Sequence, residues 1–189
     1  MKMAFSFLAL LLLCQVAFSC SPEEKQATTS GGSSIFAICP NLETQVRDYG
    51  NAYVRKDFAR LLELTNPKYV EMSGGRERLI NDMTQGEIEW EKLGVRAISW
   101  TPTEATQLLK ESGTLYAVVP TSLKLTLREK ISDSCICLIG VSIDQGEHWT
   151  FVSSSCVKIA DAFPDVAEKL VICPNNTDVI RWPDSKLGN

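Results

Sequence analysis

The sequence predicts an α+β fold in which a curved antiparallel sheet packs on N-terminal helices. Apolar residues between Pro40 and Gln85 recur every three or four positions, as on one face of a helix. From Gly94 onward the period changes, and polar and apolar residues alternate as in half-buried strands. Because these helices all precede the strands, they must cover one face of the sheet. A long, strongly curved sheet around a few helices forms a cone with an open mouth, and we expect this architecture.

Three helices are predicted before the sheet. The first begins at Pro40, a residue suited to the first helical position, and its pattern is interrupted at Lys56-Asp57. A second, short helix follows and ends at Asn66-Pro67. Residues 69–72 are predicted to be extended or irregular, and residues 76–85 form the third helix.

Five strands are predicted after Gly94. Leu123, Leu125 and Leu127 alternate with polar residues, as in a strand that buries one face. Glycine-containing turns at residues 111–113 and 144–146 separate strands. A short helix at residues 165–170 and a polar tail from residue 174 follow. The predicted strands span residues 95–100, 104–110, 114–128, 132–143 and 147–159.

The N-terminus has the pattern of a secretory signal, predicted to span residues 1–19. Residues 3–13 are almost wholly apolar but too few to cross a bilayer, and Ala17 and Ser19 are small residues shortly before Cys20. Two alternatives are open at this point. Ordinary signal peptidase would release a secreted protein, whereas the resemblance of residues 16–20 to a loose bacterial lipobox implies that Cys20 is lipidated.

The residues after Cys20 favour the lipoprotein. A Thr/Ser/Gly tract at residues 26–34 is typical of a flexible tether, so residues 20–38 are predicted to join a lipidated cysteine to a domain at residues 39–173. Two or three acyl chains are enough for stable anchoring. The predicted location is therefore a membrane, preferentially the outer membrane, with the domain on its periplasmic or exterior side.

Composition and charge narrow the classes of function. The chain has 189 residues, of which 44% are hydrophobic and 22% charged, as in one globular domain. The formal net charge of −4 argues against a nucleic-acid partner. His148 is the only histidine, which excludes a multi-histidine metal site. The pair Cys135-x-Cys137 lacks zinc-site spacing, so neither a metal nor a cofactor is predicted.

Export would permit disulfide bonds between some of the seven cysteines. Cys14 lies in the signal and Cys20 at the lipidation point, which leaves an odd number in the domain. Cys39 and Cys173 occupy matching Ile-Cys-Pro triplets, and a bridge between them would join the two ends of the domain. The alternative is that these cysteines are small, buried hydrophobic residues.

Residues 142–149 match the Asp-box pattern Ser-x-Asp-x-Gly-x-x-Trp. In this pattern the Asp144 carboxylate accepts backbone N–H bonds, Gly146 supplies a positive φ and the Trp packs beneath the turn, so a structural role is favoured over ligand binding. If Gln145-Gly146 is a two-residue loop, the register of the hairpin places Cys135 opposite Cys156. That pair is the second predicted disulfide.

One stretch of the helical half carries a distinctive spacing: Tyr49-x3-Tyr53-x2-Lys56-Asp57-x3-Leu61, then Asn66-Pro67-x2-Val70 and Gly74-Gly75. Together with the order of elements, it resembles the nuclear transport factor 2-like (SnoaL-like) superfamily, and in particular its exported bacterial members. The resemblance covers residues 40–160 and implies the cone-shaped fold. The superfamily includes ketosteroid isomerases, polyketide cyclases, dehydratases, immunity proteins and plain binding modules, so the fold does not determine the function.

The candidate pocket residues are aromatic. Tyr49 and Tyr53 lie one helical turn apart and could donate hydrogen bonds in the mouth of such a cone, and Trp90, Trp100 and Tyr116 could line it. The alternative is that these aromatic residues are simply core. The central strands offer no matching acid and base, so the isomerase roles cannot be transferred and no catalytic residue is predicted. His148, near a hairpin tip, is expected at the surface.

These observations favour a lipid-anchored, non-enzymatic domain that binds a small apolar ligand or a protein partner. The resemblance to the superfamily also implies a homodimer formed through the sheet, because members of the superfamily often dimerise there. Two alternatives are an enzyme of the isomerase, dehydratase or cyclase kind, with Tyr49 or Tyr53 as proton donor, and an immunity-type inhibitor of a secreted toxin. A cluster of ionisable groups in the mouth of the cone would favour the enzyme.

Overall fold

A computed structural model describes residues 34–127 and 130–173, and these residues form an α+β domain. Within these residues, five helices precede the strands and one follows them. The helices are α1 (Ile35–Ile38), α2 (Pro40–Arg55), α3 (Phe58–Glu63), α4 (Pro67–Met72), α5 (Arg76–Leu93) and α6 (Ile159–Ala162). The strands are β1 (Val95–Pro102), β2 (Gln107–Glu111), β3 (Thr114–Leu127), β4 (Lys130–Ser142) and β5 (Thr150–Ser153). The predicted fold class, helices against a curled antiparallel sheet, is confirmed.

The helical half differs from the prediction at α4 and α5. Residues 69–72 belong to a helix because Pro67 occupies its first position and the Asn66 side chain caps it, accepting a hydrogen bond from Lys68 N at 3.1 Å. Helix α5 runs past Gly86 and ends only at Gly94, whose φ of 75° terminates it. The β-branched and aromatic residues of α4 favour a strand in isolation, and the cap overrides that preference.

The sheet is built around β3. Strand β4 pairs with it antiparallel from Leu115 opposite Ser142 to Leu127 opposite Lys130. On the other side of β3, β1 pairs with its C-terminal half and β2 with its N-terminal half. Residues 103–106 connect these two strands, and Thr103 N and Thr106 N donate to Pro120 O and Val118 O at 2.9 and 2.8 Å. A register shift between Ala97 and Ser99 adds curvature to β1.

The short strand β5 extends the sheet on the far side of β4. Gly140 faces Phe151 and Val141 faces Thr150, which is the register that the two-residue loop predicts. The segment before α4 continues this edge, since Phe151 N donates to Leu64 O at 2.7 Å and Asn66 N to Phe151 O at 2.9 Å. Strand β5 ends at Ser153, and turns replace the rest of the predicted strand.

Both faces of the sheet are covered, as the alternation of side chains along the strands shows. The inner face packs on α2 through an inner cluster of Leu42, Val46, Ala117, Val119, Leu138, Trp149 and Phe151. The outer face carries an outer cluster of Val118, Cys137, Ile139, Val141, Val152, Ala162, Phe163, Val166 and Leu170. The chain after residue 156, named here the C-terminal segment (residues 157–173), thus covers the face that the helices leave open. This cover was not predicted, and residues 165–170, predicted as a helix, form turns within it.

The domain begins before the predicted boundary. Residues 35–38 form α1 rather than the end of a tether, because Phe36 is buried and Phe36 N donates to Glu104 Oε1 at 3.1 Å. Ser34 Oγ donates to the other oxygen of Glu104 at 2.7 Å. The predicted signal at residues 1–19, the lipidation site Cys20 and the tail at residues 174–189 lie outside the described residues. Among residues 34–127 and 130–173, no helix is long and apolar enough to cross a membrane.

Candidate functional site

A group of aromatic side chains lies beside α2, where Tyr49 and Trp100 pack against the inner cluster and Tyr69 packs against the outer cluster. We name Tyr49, Tyr53, Tyr69 and Trp100, with the thiol of Cys156, the tyrosine cluster. The ring of Trp100, on β1, makes edge contacts with Tyr49 and Tyr53, at centroid distances of 6.0 and 5.0 Å. Tyr49 and Tyr53 present the same face of α2 because they are one helical turn apart. Three of the five residues predicted to line a pocket therefore lie together.

Gly50 allows α2 to approach Trp100 this closely. A Cβ atom at Gly50 would lie 2.5–2.8 Å from three atoms of the Trp100 side chain, closer than any ordinary contact. The indole therefore packs directly against the helix backbone. This is a position where the absence of a side chain, rather than the flexibility of glycine, shapes the site.

The indole N–H of Trp100 has no hydrogen-bond partner although the atom is buried. A buried donor without a partner costs roughly 1–3 kcal/mol, so such atoms are rare in folded proteins and call for an explanation. Tyr49, in contrast, is hydrogen-bonded to Thr65, whose own hydroxyl donates to Leu61 O at 2.8 Å. The cluster thus contains a satisfied phenol beside an unsatisfied indole donor.

Tyr69 and Cys156 complete the cluster from outside α2. The thiol of Cys156 shares hydrogen bonds with Tyr69, Ser153 and Ser155, although the residue as a whole is exposed. The thiol is also close enough to Tyr49 and Tyr53 for a charge on it to affect both phenols. Sequence reasoning missed this part of the site, because it placed Tyr69 in an irregular segment and Cys156 in a strand. The Asn66-Pro67 cap is the signal that could have placed Tyr69 on a helix.

All four titratable groups of the cluster stay protonated near neutral pH. Desolvation is the largest cause that raises the pKa of Tyr49, Tyr53 and Tyr69 and of the Cys156 thiol, and a negative charge on Cys156 would raise the pKa of the phenols further. The site therefore offers neutral hydroxyl, thiol and indole groups. Such groups donate hydrogen bonds but do not supply a ready base or a thiolate nucleophile.

Two acids that act on the cluster through space are paired with cations. Glu87 affects Tyr53 through space and lies 2.6 Å from Lys56 Nζ, while Asp82 affects Tyr69 and lies 3.8 Å from Arg78 Nε. Within the described part of the chain, no group of three or more His, Cys, Asp or Glu residues could hold a metal ion.

Two predicted pocket residues lie apart from the cluster. Tyr116 points to the outer face, where its ring contacts Phe163 at 6.0 Å between centroids, so it does not share a pocket with Tyr49 and Tyr53. Successive residues of β3 face opposite sides, and Tyr116 falls on the other side from Leu115 and Ala117. Trp90 is partly buried on α5, and the ring contacts found among the described residues do not include it.

The Asp-box turn has the predicted geometry. Asp144 Oδ1 accepts hydrogen bonds from His148 N at 2.9 Å and from Ser142 Oγ at 2.8 Å, and Gly146 has a φ of 96°. Trp149 is buried beneath the turn, and its indole N–H donates to Gly146 O at 3.0 Å. The His148 side chain is 85% exposed, as expected for a surface residue, and its Nδ1 lies 2.6 Å from Asp144 Oδ2. The motif closes the β4–β5 hairpin.

The structure does not bring either predicted cysteine pair together. Cys39 belongs to the inner cluster and Cys173 to the outer one, so the sheet lies between them. The register predicted for Cys156 is lost because β5 ends at Ser153, after which the chain turns and the thiol meets Tyr69. Cys173 instead contacts Cys137, a pairing that the matching triplets did not indicate.

Two shallow grooves lie side by side at the surface near the Asp-box turn. They have volumes of about 280 and 270 Å³ and share Asn66, Pro67, Val141 and Ile143. Ile143 stands between them with 83% of its surface exposed. One groove extends toward Phe163 and Asp165 on the outer face, and the other toward His148.

No protein-family model matches this chain, and no match was found among curated proteins.

Proposed function

We propose that this chain is a binding domain of the nuclear transport factor 2-like architecture, which takes a small, neutral and largely apolar ligand at the tyrosine cluster. Support for the architecture comes from the order of the elements and from a curled antiparallel sheet whose inner face packs on α2. Support for the ligand class comes from the cluster itself, where aromatic surfaces surround donors that carry no charge.

One observation carries the proposal: the buried indole N–H of Trp100 has no partner. A ligand with a carbonyl, ether or hydroxyl oxygen would accept a hydrogen bond from it and remove the cost of the unsatisfied donor. An anionic ligand is disfavoured because the nearby cations Lys56 and Arg78 are already paired with Glu87 and Asp82. The ligand is thus a neutral molecule with an acceptor at one end.

The same electrostatics favour binding over catalysis. A general base must be able to accept a proton at the working pH, and the phenols and thiol of the cluster hold theirs because burial raises each pKa. Tyr49 or Tyr53 could donate a proton or a hydrogen bond, as an enzyme of the isomerase or cyclase kind would require. That alternative also needs a carboxylate in contact with the ligand, and the acid that acts on Tyr53, Glu87, is paired with Lys56.

The second candidate function is recognition of a protein partner, including an inhibitory one. A specific observation favours it: Ile143 is 83% exposed between two adjoining grooves. Side chains of a partner could occupy these grooves and cover Ile143. A homodimer through the sheet is restricted by the C-terminal segment, which covers the outer face around Val118 and Ile139. Such a dimer would use the uncovered end of the sheet near Ile131, which is 67% exposed.

Export and lipid anchoring form the remaining part of the proposal. The apolar residues 3–13, the small residues before Cys20 and the Ser/Gly tract after it support this location. In the native host, a clickable palmitate analogue should label the wild-type chain but not a Cys20→Ala variant. Equal labelling of the two proteins would contradict lipidation at Cys20.

The ligand proposal is tested with Nile red, a neutral apolar dye with a carbonyl acceptor. We expect the purified protein to bind the dye with increased fluorescence. Trp100→Phe replaces the indole by a smaller aromatic ring without an N–H and should weaken binding roughly tenfold, the loss expected for one hydrogen bond. Tyr116→Phe, on the outer face, is the matched control and should bind as the wild type does. Native mass spectrometry of protein purified from its host should also show a bound neutral molecule.

Two results would overturn this assignment. Equal dye affinity in the wild type and Trp100→Phe would remove the role of the indole donor. Loss of dye binding in Ile143→Ala, with no change in Trp100→Phe, would instead place the ligand in the surface grooves and favour the partner-binding alternative.

A further inference from the structure

Cys137 and Cys173 meet on the outer face of the sheet. Cys137 is fully buried in the middle of β4, opposite Pro120 of β3. Cys173 is the last described residue of the C-terminal segment and packs against the same cluster. The two thiols are not joined by a disulfide in the structure, but they belong to one packed cluster and lie close enough for Cys137 to raise the pKa of Cys173. A disulfide requires two cysteines whose side chains are close together, and packing in one cluster brings these two near each other.

Several independent contacts hold the C-terminal segment where this pairing requires it. Gln107 Nε2 donates to Lys169 O at 2.8 Å, and Gln107 Oε1 accepts from Val171 N at 2.9 Å. Lys169 also forms an ion pair with Glu111. Val166 is completely buried in the outer cluster. The position of Cys173 therefore follows from the packing of the residues before it rather than from the thiol contact alone.

We propose that Cys137 and Cys173 are joined by a disulfide under oxidising conditions, and that this bond fastens the C-terminal segment to β4. The bond closes the loop from residue 137 to residue 173, which contains the β4–β5 hairpin and α6. The inference concerns a different face of the domain from the ligand site and does not depend on the proposed function.

The oxidant is a small-molecule or protein disulfide, such as oxidised glutathione. The thiolate of Cys173, the more accessible of the two, attacks one sulfur of the oxidant and releases one thiolate, which takes up a proton. The Cys137 thiolate then attacks the mixed disulfide and releases the second thiolate. Both cysteines together lose two protons and two electrons, and the oxidant is reduced to two thiols.

Burial affects how fast this reaction proceeds. Desolvation and the neighbouring Cys137 both raise the pKa of Cys173, so little thiolate is present at neutral pH. Formation of the bond should therefore accelerate as the pH increases from 7 to 9.

The experiment starts from the reduced protein after removal of the signal. The protein is incubated with oxidised glutathione at pH 8.5, the remaining thiols are alkylated, and peptides are mapped without reduction. We expect a cross-linked pair of peptides that contain Cys137 and Cys173, while Cys39 and Cys156 are alkylated. The melting temperature of the oxidised wild type should exceed that of the reduced protein by roughly 10 °C, given the length of the closed loop.

Variants separate the cross-link from a general effect of oxidation. Cys173→Ser, at a partly exposed position, should fold and should lose the shift in melting temperature, whereas Cys39→Ser should keep it. Cys137→Ser replaces a fully buried thiol, which can prevent folding. The test therefore uses Cys173→Ser and not this variant. Alkylation of both Cys137 and Cys173 after oxidation, or a cross-link of Cys173 to Cys39 or Cys135, would overturn the proposal.

Discussion

At the scale of single residues, the contact between Gly50 and Trp100 positions the candidate site. The spacing of Tyr49 and Tyr53 was visible in the sequence, since helical periodicity places them on one face. The need for glycine between them was not visible, because it depends on a tryptophan that is distant along the chain. Residue-scale prediction succeeds where the cause is local and fails where a tertiary contact supplies it.

We expect Gly50→Ala to destabilise the protein by about 1–2 kcal/mol. The new Cβ would lie 2.5 Å from the Trp100 ring, and the cost of overpacking exceeds the gain in helix propensity. Gly86→Ala, on α5, is the matched control, because no atom lies within 4 Å of the position that a Cβ would take. The control should stabilise the protein by about 0.5–1 kcal/mol. Urea denaturation measures both, and a stable Gly50→Ala protein would contradict the close approach.

At the scale of elements, the β4–β5 hairpin was predicted most completely. Its turn chemistry, its register and the burial of Trp149 all follow from a local motif, so no distant contact was needed to infer them. Helix α4 and the end of β5 were not predicted, because their limits depend on a capping side chain and on the turn at residues 154–156. The pairing of Tyr69 with Cys156 depends on both of these limits, which is why the sequence did not indicate this half of the site.

Asp144 makes the stability of the hairpin depend on pH. The backbone N–H of His148, then its ring, then the Ser142 hydroxyl lower the pKa of Asp144 from 3.8 to about 2. A group with a lowered pKa stabilises the folded state above its unfolded pKa and loses that effect as the pH falls through the folded value. The difference in melting temperature between wild type and Asp144→Asn should therefore be constant above pH 5 and shrink between pH 4 and pH 2.

A second variant separates the causes of this pH dependence. His148→Ala removes the imidazole but keeps the backbone N–H, the largest cause of the lowered pKa, and should retain most of the dependence. A melting-temperature difference between wild type and Asp144→Asn that does not change between pH 5 and pH 2 would contradict this account.

At the scale of the whole molecule, the order of helices before strands was enough to predict the fold class and the inner face. The covered outer face was not predicted. The apolar residues of segment 157–173 do not recur at a regular helical or strand spacing. They face the same side only because the folded segment lies across the sheet. The domain therefore has a core on each side of the sheet, and the C-terminal segment is part of the fold.

Phe163→Ala tests the contribution of this outer cover. Phe163 is 7% exposed and contacts Tyr116, so its truncation should lower the free energy of unfolding by about 3–5 kcal/mol. The variant should also bind the dye ANS through the uncovered outer face. Ile143→Ala, at an exposed site, should change stability by less than about 0.5 kcal/mol. Unchanged stability of Phe163→Ala in urea would show that the segment is only loosely attached.

The transition from β1 to β2 beside β3 has a chemical cause. Pro120 lies in a central strand, and its carbonyl accepts from Thr103, so its nitrogen faces the residues that connect the two neighbouring strands. Proline has no amide hydrogen to donate there. The hydrogen-bond ladder of the sheet is therefore interrupted at Pro120 without leaving an unpaired backbone N–H. The neighbouring strand thus changes from β1 to β2 at the one residue of this stretch that has no backbone donor, so the break in pairing is set by the covalent structure of β3.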